Sequence, residues 1–257
     1  MGEFFARLTV SGMALVFGMI GGMAWADPSA VRAGIWIFDQ KVTLQSPAIV
    51  SQEHLYVPLR DIAAVLNLDV VYDARVDEYS VKREKDLRHM VFAVGAREVM
   101  VNERKSVMAV PSIEYQKRIY VPLGEFCWQF GLAMRHNSQG SYYVSQRLLD
   151  VRQEADHVVI QTGSPVEPEI SYREDLGQLV VDLPHTILAG ANRSSEGKAP
   201  VLKLTLAQNQ LLPDRTRVGI RLSKYEGHHS VVDEGNNRVS IYFGTAPAAL
   251  PQAAPAA

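Results

Sequence analysis

The chain of 257 residues carries 26 Lys+Arg against 28 Asp+Glu, 47% apolar residues and a single Cys. That near-neutral balance excludes a protein that binds mainly by neutralising phosphates, so no nucleic-acid partner is expected. One thiol cannot build an internal disulfide, a four-thiolate zinc site or an iron–sulfur cluster.

Residues 1–26 read as a secretory signal. Arg7 stands in a short basic start, Leu8 to Met23 form an uncharged apolar stretch, and Ala24-Trp25-Ala26 gives an A-x-A cleavage site before Asp27-Pro28. The alternative, an uncleaved anchor, would have to cross a hydrocarbon core of roughly 30 Å with a short stretch containing Gly18, Gly21 and Gly22. No Cys stands at the end of the apolar run, so no lipoprotein anchor is expected. No later segment is long and apolar enough to span a bilayer, so no membrane association is expected after cleavage. The expected location is the periplasm or the cell wall.

Next comes a repeat at an offset of 64 residues. Leu55-Tyr56-Val57-Pro58-Leu59 recurs as Ile119-Tyr120-Val121-Pro122-Leu123, and Pro47, Ile49 and Leu68 match Pro111, Ile113 and Leu132. Nine of 39 positions are identical between 35–73 and 99–137, which marks a duplication. In each unit, alternating apolar residues (Ile35, Ile37; Val99, Val101) lead through a polar turn, Asp39-Gln40-Lys41 or Asn102-Glu103-Arg104-Lys105, into a second extended piece. The Val-Pro-Leu step then feeds a short helix in which Ile62, Val65 and Leu66, or Phe126 and Phe130, fall at helical spacing. Asn67 and Gly131 stand where that helix should stop, since both tolerate the left-handed conformation. Strands follow near Val70–Tyr72 and Tyr79–Lys82, and near Ala133–His136 and Tyr142–Ser145. A helix this short needs a sheet beneath it, so each unit is expected to supply a small one.

From about residue 150 only strands are expected. Val158–Ile160, Leu179–Leu183, Leu202–Leu206, Val218–Leu222 and Val239–Phe243 largely alternate apolar with polar, and Gly, Pro and Asn punctuate them. The fold class is therefore an α+β repeat domain of two ββαββ-like units (about 32–85 and 96–147, within 32–148), followed by an all-β sandwich domain over 150–244. Residues 245–257 form a Pro/Ala-rich tail.

These motifs carry two resemblances. The doubled "P-x-I … Y-V-P-L-[R/G]-[D/E] … L/F-[N/G]-L" over about 32–147 resembles the stalk domain shared with the N-terminus of copper amine oxidases. Residues 150–244, with LVVDLP at 179–184, VLKLTLAQNQLLPDRTRVGIRLS at 201–223 and NRVSIYF at 237–243, resemble the AMIN (amidase N-terminal) domain. That resemblance implies a β-sandwich that attaches envelope proteins, chiefly N-acetylmuramoyl-L-alanine amidases and secretins, to peptidoglycan. Two positions depart from the patterns: Gly124 stands where the stalk pattern has Arg, and Thr205 where many AMIN sequences carry Arg.

No catalytic constellation emerges. The chain has no Asn-Tyr pair of the kind that forms the oxidised cofactor in amine oxidases, and no Asp-Pro-Gly-His-Gly-Gly start of a zinc amidase. None of its His residues sits in an H-E-x-x-H frame, and the His228-His229 neighbours would point to opposite faces of a strand. Cys127 replaces Ala63 of the first unit beside Trp128 and reads as a buried, inert thiol. The acid pairs Asp77-Glu78, Glu174-Asp175 and Asp233-Glu234 read as turn residues rather than a glycosidase pair. No catalytic residue, metal site or cofactor is expected.

The candidate site is a face. Period-2 geometry puts Val218, Ile220 and Leu222 on one side of a strand and Arg215, Arg217, Gly219 and Arg221 on the other, with Lys203 and Tyr242 added from neighbouring strands. Forked Arg donors and one aromatic platform suit the carboxylates and sugar faces of peptidoglycan. Gly219 would leave room for close approach. The same pattern also describes an ordinary solvated face neutralised by acids such as Asp182. Tyr56, Tyr120, Pro58 and Pro122 read as locks on the strand-to-helix corner.

The expected function is that of a non-catalytic envelope protein that binds peptidoglycan, with a cell-wall amidase or a secretin-type complex as further partner. One alternative is the targeting region of a wall amidase whose zinc domain lies beyond Ala257; another is a docking module of a secretion or pilus assembly.

Overall fold

A computed structural model describes residues 29–31, 33–188, 190–211 and 213–244; the expected signal (1–26) and tail (245–257) lie outside them. The fold is mostly β, with two short α-helices, α1 (Leu59–Val65) and α2 (Leu123–Gln129). No helix among the described residues is long and apolar enough to cross a membrane.

The duplication is visible in local geometry. Each helix begins directly after the proline of the Tyr-Val-Pro step, and each stops at the expected residue, with Asn67 at φ 52° and Gly131 at φ 75°. The acid in each first turn clasps the loop before it. Asp61 accepts from the Gln45 and Ser46 backbone N–H groups at 2.7 and 3.2 Å, and Glu125 accepts from Ala109 N–H at 3.0 Å. Four two-residue hairpin turns also come in equivalent pairs: Phe38-Asp39 with Asn102-Glu103, and Gln52-Glu53 with Gln116-Lys117, every residue at positive φ. The first of these turns thus falls at Phe38-Asp39, one residue earlier than the sequence indicated.

The units do not close into separate ββαββ sheets. The strands His54–Pro58 and Arg118–Pro122 pair with each other, so both units share one central sheet. The opening hairpin of the second unit (Glu98–Val101, Arg104–Val107) joins a sheet with the closing hairpin of the first (Asp69–Asp73, Glu78–Arg83), with Arg88–Phe92 inserted between them. The opening hairpin of the first unit (Gly34–Ile37, Gln40–Val42) lies against the closing strand of the second, Ser141–Gln153. The two halves are intertwined. Each exchange buries apolar residues from both, and one core gathers Ile35, Val57 and Ile62 with Val99, Val121 and Phe126. On the other side of the central sheet, Tyr56 and Tyr120 pack with Ile49, Ile113 and Tyr115.

Ser141–Gln153 continues across the domain boundary. It pairs with Gly34–Ile37 and Leu132–His136 in the repeat domain and with His157–Thr162 and Thr186–Leu188 beyond it. The second domain sets the sheet containing His157–Thr162, Arg238–Phe243 and His228–Asp233 against a sheet ordered Glu169–Arg173, Gln178–Pro184, Asp214–Leu222, Val201–Leu211, Arg193–Glu196. Its core comprises Leu148, Val158 and Ile160 from one layer and Leu179, Leu204, Val218 and Ile220 from the other. Edge strands Glu169–Arg173, Arg193–Glu196 and His228–Asp233, and the short Thr186–Leu188 strand, extend it beyond the strands expected from alternation.

Candidate functional site

The Asp214–Leu222 strand has the parity expected of it: Val218, Ile220 and Leu222 are buried while Arg215, Arg217 and Arg221 project from the outer face. Cross-strand neighbours then divide the three guanidiniums. Arg217 lies opposite Asp182 and donates through Nε and Nη2 to both carboxylate oxygens at 2.8 Å. Arg215 donates to Glu169 at 2.5 and 3.2 Å. These hydrogen bonds to carboxylates hold both guanidiniums above their ordinary pKa, so both are committed within the sheet. Arg221 is exposed and Lys203 stands directly opposite it; neither has an ion-pair or hydrogen-bond partner among the described residues.

Two further expectations need correction. Gly219 does not open a gap for a ligand, because a Cβ there would meet Gln178 Nε2 at 2.1 Å; the Gln178 side chain occupies the space. Tyr242 does not join the arginine face. It belongs to the opposite sheet, where its ring stacks between His157 and His229 at centroid distances of 4.5 and 4.9 Å. Alternation within a strand gives face parity but not the sheet to which the strand belongs.

The remaining chemistry-bearing groups are placed as follows. Cys127 is fully buried on α2, and burial pushes its thiol up to about 12, so it is protonated at neutral pH. His228 and His229 point apart: His228 Nδ1 lies 2.9 Å from Tyr225 Oη, and His229 stacks on Tyr242. No group of three or more His, Cys, Asp or Glu side chains could hold a metal ion among the described residues.

Sequence reasoning missed the domain junction. Gly131, where α2 stops, abuts Gly163 so closely that a Cβ on either would fall within 2 Å of the other's carbonyl oxygen. Arg83 binds Asp86 through two hydrogen bonds of 2.7 and 2.6 Å, and Asn237 of the second domain donates to Asp86 at 3.0 Å. Arg88 donates to the Gly163 carbonyl at 3.2 Å, and Arg147 lies 3.5 Å over the Trp128 ring. Burial and the neighbouring positive charge lower the pKa of Arg88 and Arg147. At the other end, Asp214 accepts from Arg135 at 2.8 Å and from Ser145 Oγ, and His185 Nδ1 meets Asp39 Oδ2 at 2.6 Å. The hydrogen-bonded partners that cross the junction lie 69 to 151 residues apart in sequence, so no local pattern announces them.

Residues 36–144 match the family described as the copper amine oxidase N-terminal domain, and residues 148–243 match the AMIN domain. No curated protein matches the chain. No solved structure matches it.

Proposed function

We propose that this chain, in which a copper amine oxidase N-terminal domain is followed by an AMIN domain, is an exported envelope protein that binds peptidoglycan and performs no chemistry on it. The observation that carries the reading is the pair Arg221 and Lys203: two adjacent cations on the outer face of the AMIN sandwich, neither of them in an ion pair among the described residues even though Glu196 faces Lys203 on the next strand. A stem-peptide carboxylate would accept forked hydrogen bonds from the Arg221 guanidinium and a further one from the Lys203 ammonium. Arg215 and Arg217 would have to release Glu169 and Asp182 to do the same.

The test is sedimentation with purified sacculi. The wild type should pellet with the wall and be released as salt rises, because contacts between exposed charges are screened within about 8 Å at physiological ionic strength. Arg221→Ala should reduce pelleting more than Arg217→Ala, and no muropeptide should be released. Equal pelleting by all three proteins would refute the site, and release of wall fragments would refute the non-catalytic reading. The AMIN match also supports a second reading, in which these domains direct an N-acetylmuramoyl-L-alanine amidase to the wall. Reading the gene beyond the codon for Ala257 distinguishes the two.

A further inference from the structure

Where the Gln116-Lys117 hairpin of the second unit meets the helix of the first, a cleft of about 220 Å³ collects unspent positive charge. Arg60 on α1 lines one side, Lys117 and Arg118 of the hairpin line the other, and all three are exposed. None of them has an ion-pair or hydrogen-bond partner among the described residues. Other exposed arginines grip a neighbouring carboxylate, as Arg75 does Asp73 and Arg173 does Asp175. Asp61 is the one acid in the lining, and its Oδ2 is taken by the Gln45 and Ser46 N–H groups. Glu114 stands opposite Ile119 on the adjacent strand and pairs with none of the three cations. Burial raises the pKa of the Tyr120 phenol, and the charges of Arg118 and Asp61 act on it in opposite senses, so guanidinium and carboxylate share this corner. Three cations against one lining carboxylate leave an excess of two positive charges.

The duplication supplies an internal control. At an offset of 64 residues, Arg60, Lys117 and Arg118 correspond to Gly124, Glu53 and His54. The two turns have the same backbone, with Glu53 at φ 65° and Lys117 at φ 60°. The equivalent corner is also filled: a Cβ on Gly124 would stand 3.0 Å from Met134 Cε, where the first unit has the shorter Val70. The shared fold therefore needs neither the cleft nor its cations.

The excess charge selects the ligand. Two guanidinium forks and an ammonium match the three acceptor oxygens of a phosphate monoester, whose charge of about −1.5 to −2 at neutral pH balances the excess, whereas one carboxylate balances half of it. A sugar ring finds nothing to stack on, because Tyr79, the aromatic residue of the lining, is flanked by Tyr72 and Phe92 at centroid distances of 4.9 and 5.7 Å. A polynucleotide needs a longer cationic track than this corner provides.

We propose that this cleft binds the phosphate group of a phosphate monoester, held by Arg60, Lys117 and Arg118. The site lies in the copper amine oxidase N-terminal domain and uses neither Arg221 nor Lys203, so it stands or falls apart from the cationic face of the AMIN sandwich.

Calorimetric titration of the purified full chain with glycerol 3-phosphate tests the proposal, with inorganic phosphate and acetate as parallel probes. One equivalent of glycerol 3-phosphate should bind saturably, and the binding should weaken as salt rises. Lys117→Glu and Arg118→His install the residues that the first unit carries in the same turn, so the fold should tolerate both. Each should weaken binding at least about tenfold, as loss of a charge-assisted hydrogen bond does, and Arg60→Gln should do the same. Arg221→Ala should leave it unchanged. Melting temperatures are compared throughout, and Arg60→Gln carries the test if the hairpin variants melt early. Absence of saturable binding up to about 10 mM would overturn the proposal. So would equal binding by the folded variants, or an equal loss in Arg221→Ala, which would mark diffuse attraction to surface charge. Acetate binding as tightly as glycerol 3-phosphate would overturn the choice of a dianion, and binding of inorganic phosphate alone would overturn the choice of an ester.

Discussion

Val57 lies directly opposite Val121, the residue that holds the same place 64 positions later, while Tyr56 faces Pro122 and Pro58 faces Tyr120. The duplicated Tyr-Val-Pro steps therefore pair with each other about a pseudo-twofold axis running between the two valines, as in an isologous contact. Each helix also packs against the other unit's strand, α1 on Arg118–Pro122 and α2 on His54–Pro58. With the opening hairpins exchanged as well, neither unit can bury its apolar face alone. A fragment ending at residue 96 should lack near-ultraviolet dichroism by itself and should regain it when mixed with a fragment starting at residue 97. A folded, monomeric first fragment would contradict the exchange.

The same axis yields a comparison between equivalent tyrosines. Tyr120 Oη donates to the Pro47 carbonyl at 3.2 Å, whereas the buried hydroxyl of Tyr56 has no partner among the described residues. Removing a satisfied hydroxyl costs about 1 kcal/mol, while removing an unsatisfied buried one relieves a desolvation penalty. Denaturant melts should show Tyr120→Phe destabilised by about that amount and Tyr56→Phe unchanged or more stable. Equal destabilisation of both would show that the symmetry extends to the hydroxyls.

What could be read in advance follows from the range of each signal. Helix starts, helix stops and strand parity depend on residues within one turn, so Pro58, Asn67, Gly131 and the outward Arg217 were legible. The exchange of hairpins was not, because the choice between a unit's own partner and its duplicate is made by pairing between distant strands with near-identical patterns. The four hairpin turns lack the Asn-Gly or Asp-Gly signature that positive φ usually brings, so their positions were blurred. At the candidate site, alternation pointed Arg217 outward, but only the register of Asp182 opposite it shows the charge to be spent.

Glycine substitutions separate a packed backbone from a movable side chain. At Gly163 an added Cβ meets the Gly131 carbonyl oxygen at 1.9 Å, an obstacle of main chain between two domains. At Gly219 it meets the far end of Gln178, which can swing away. Gly163→Ala should cost more than about 4 kcal/mol in a denaturant melt, and Gly219→Ala less than about 1 kcal/mol. A mild Gly163→Ala would mean that the domains can separate there without consequence.

Cys127 gives a chemical probe of the repeat core. With the thiol fully buried and its pKa at about 12, iodoacetamide at pH 8 should leave the native protein unlabelled and modify it only in denaturant. Stoichiometric labelling of the native chain within minutes would show that α2 opens on that timescale.

The last expectation concerns the charge cluster that joins the domains. Asp86 accepts from the Arg83 guanidinium through both carboxylate oxygens, and it also takes the Asn237 amide across the junction. Burial alone would raise its pKa, but the hydrogen bonds from Arg83 and Asn237 outweigh it and leave the group below its usual value of 3.8. A carboxylate depressed in the folded state contributes stability that is complete above the unfolded value and is lost as pH falls through the folded one. Melting temperature should therefore hold steady above about pH 5 and drop steeply below about pH 4, and the drop should be smaller in Asp86→Asn. Asp86→Ala leaves Arg83 and Arg88 without that neighbouring charge and should cost about 3–5 kcal/mol at neutral pH. If Asp86→Ala melts like the wild type, the junction is held by the backbone contact of Gly131 and Gly163 rather than by this ion pair.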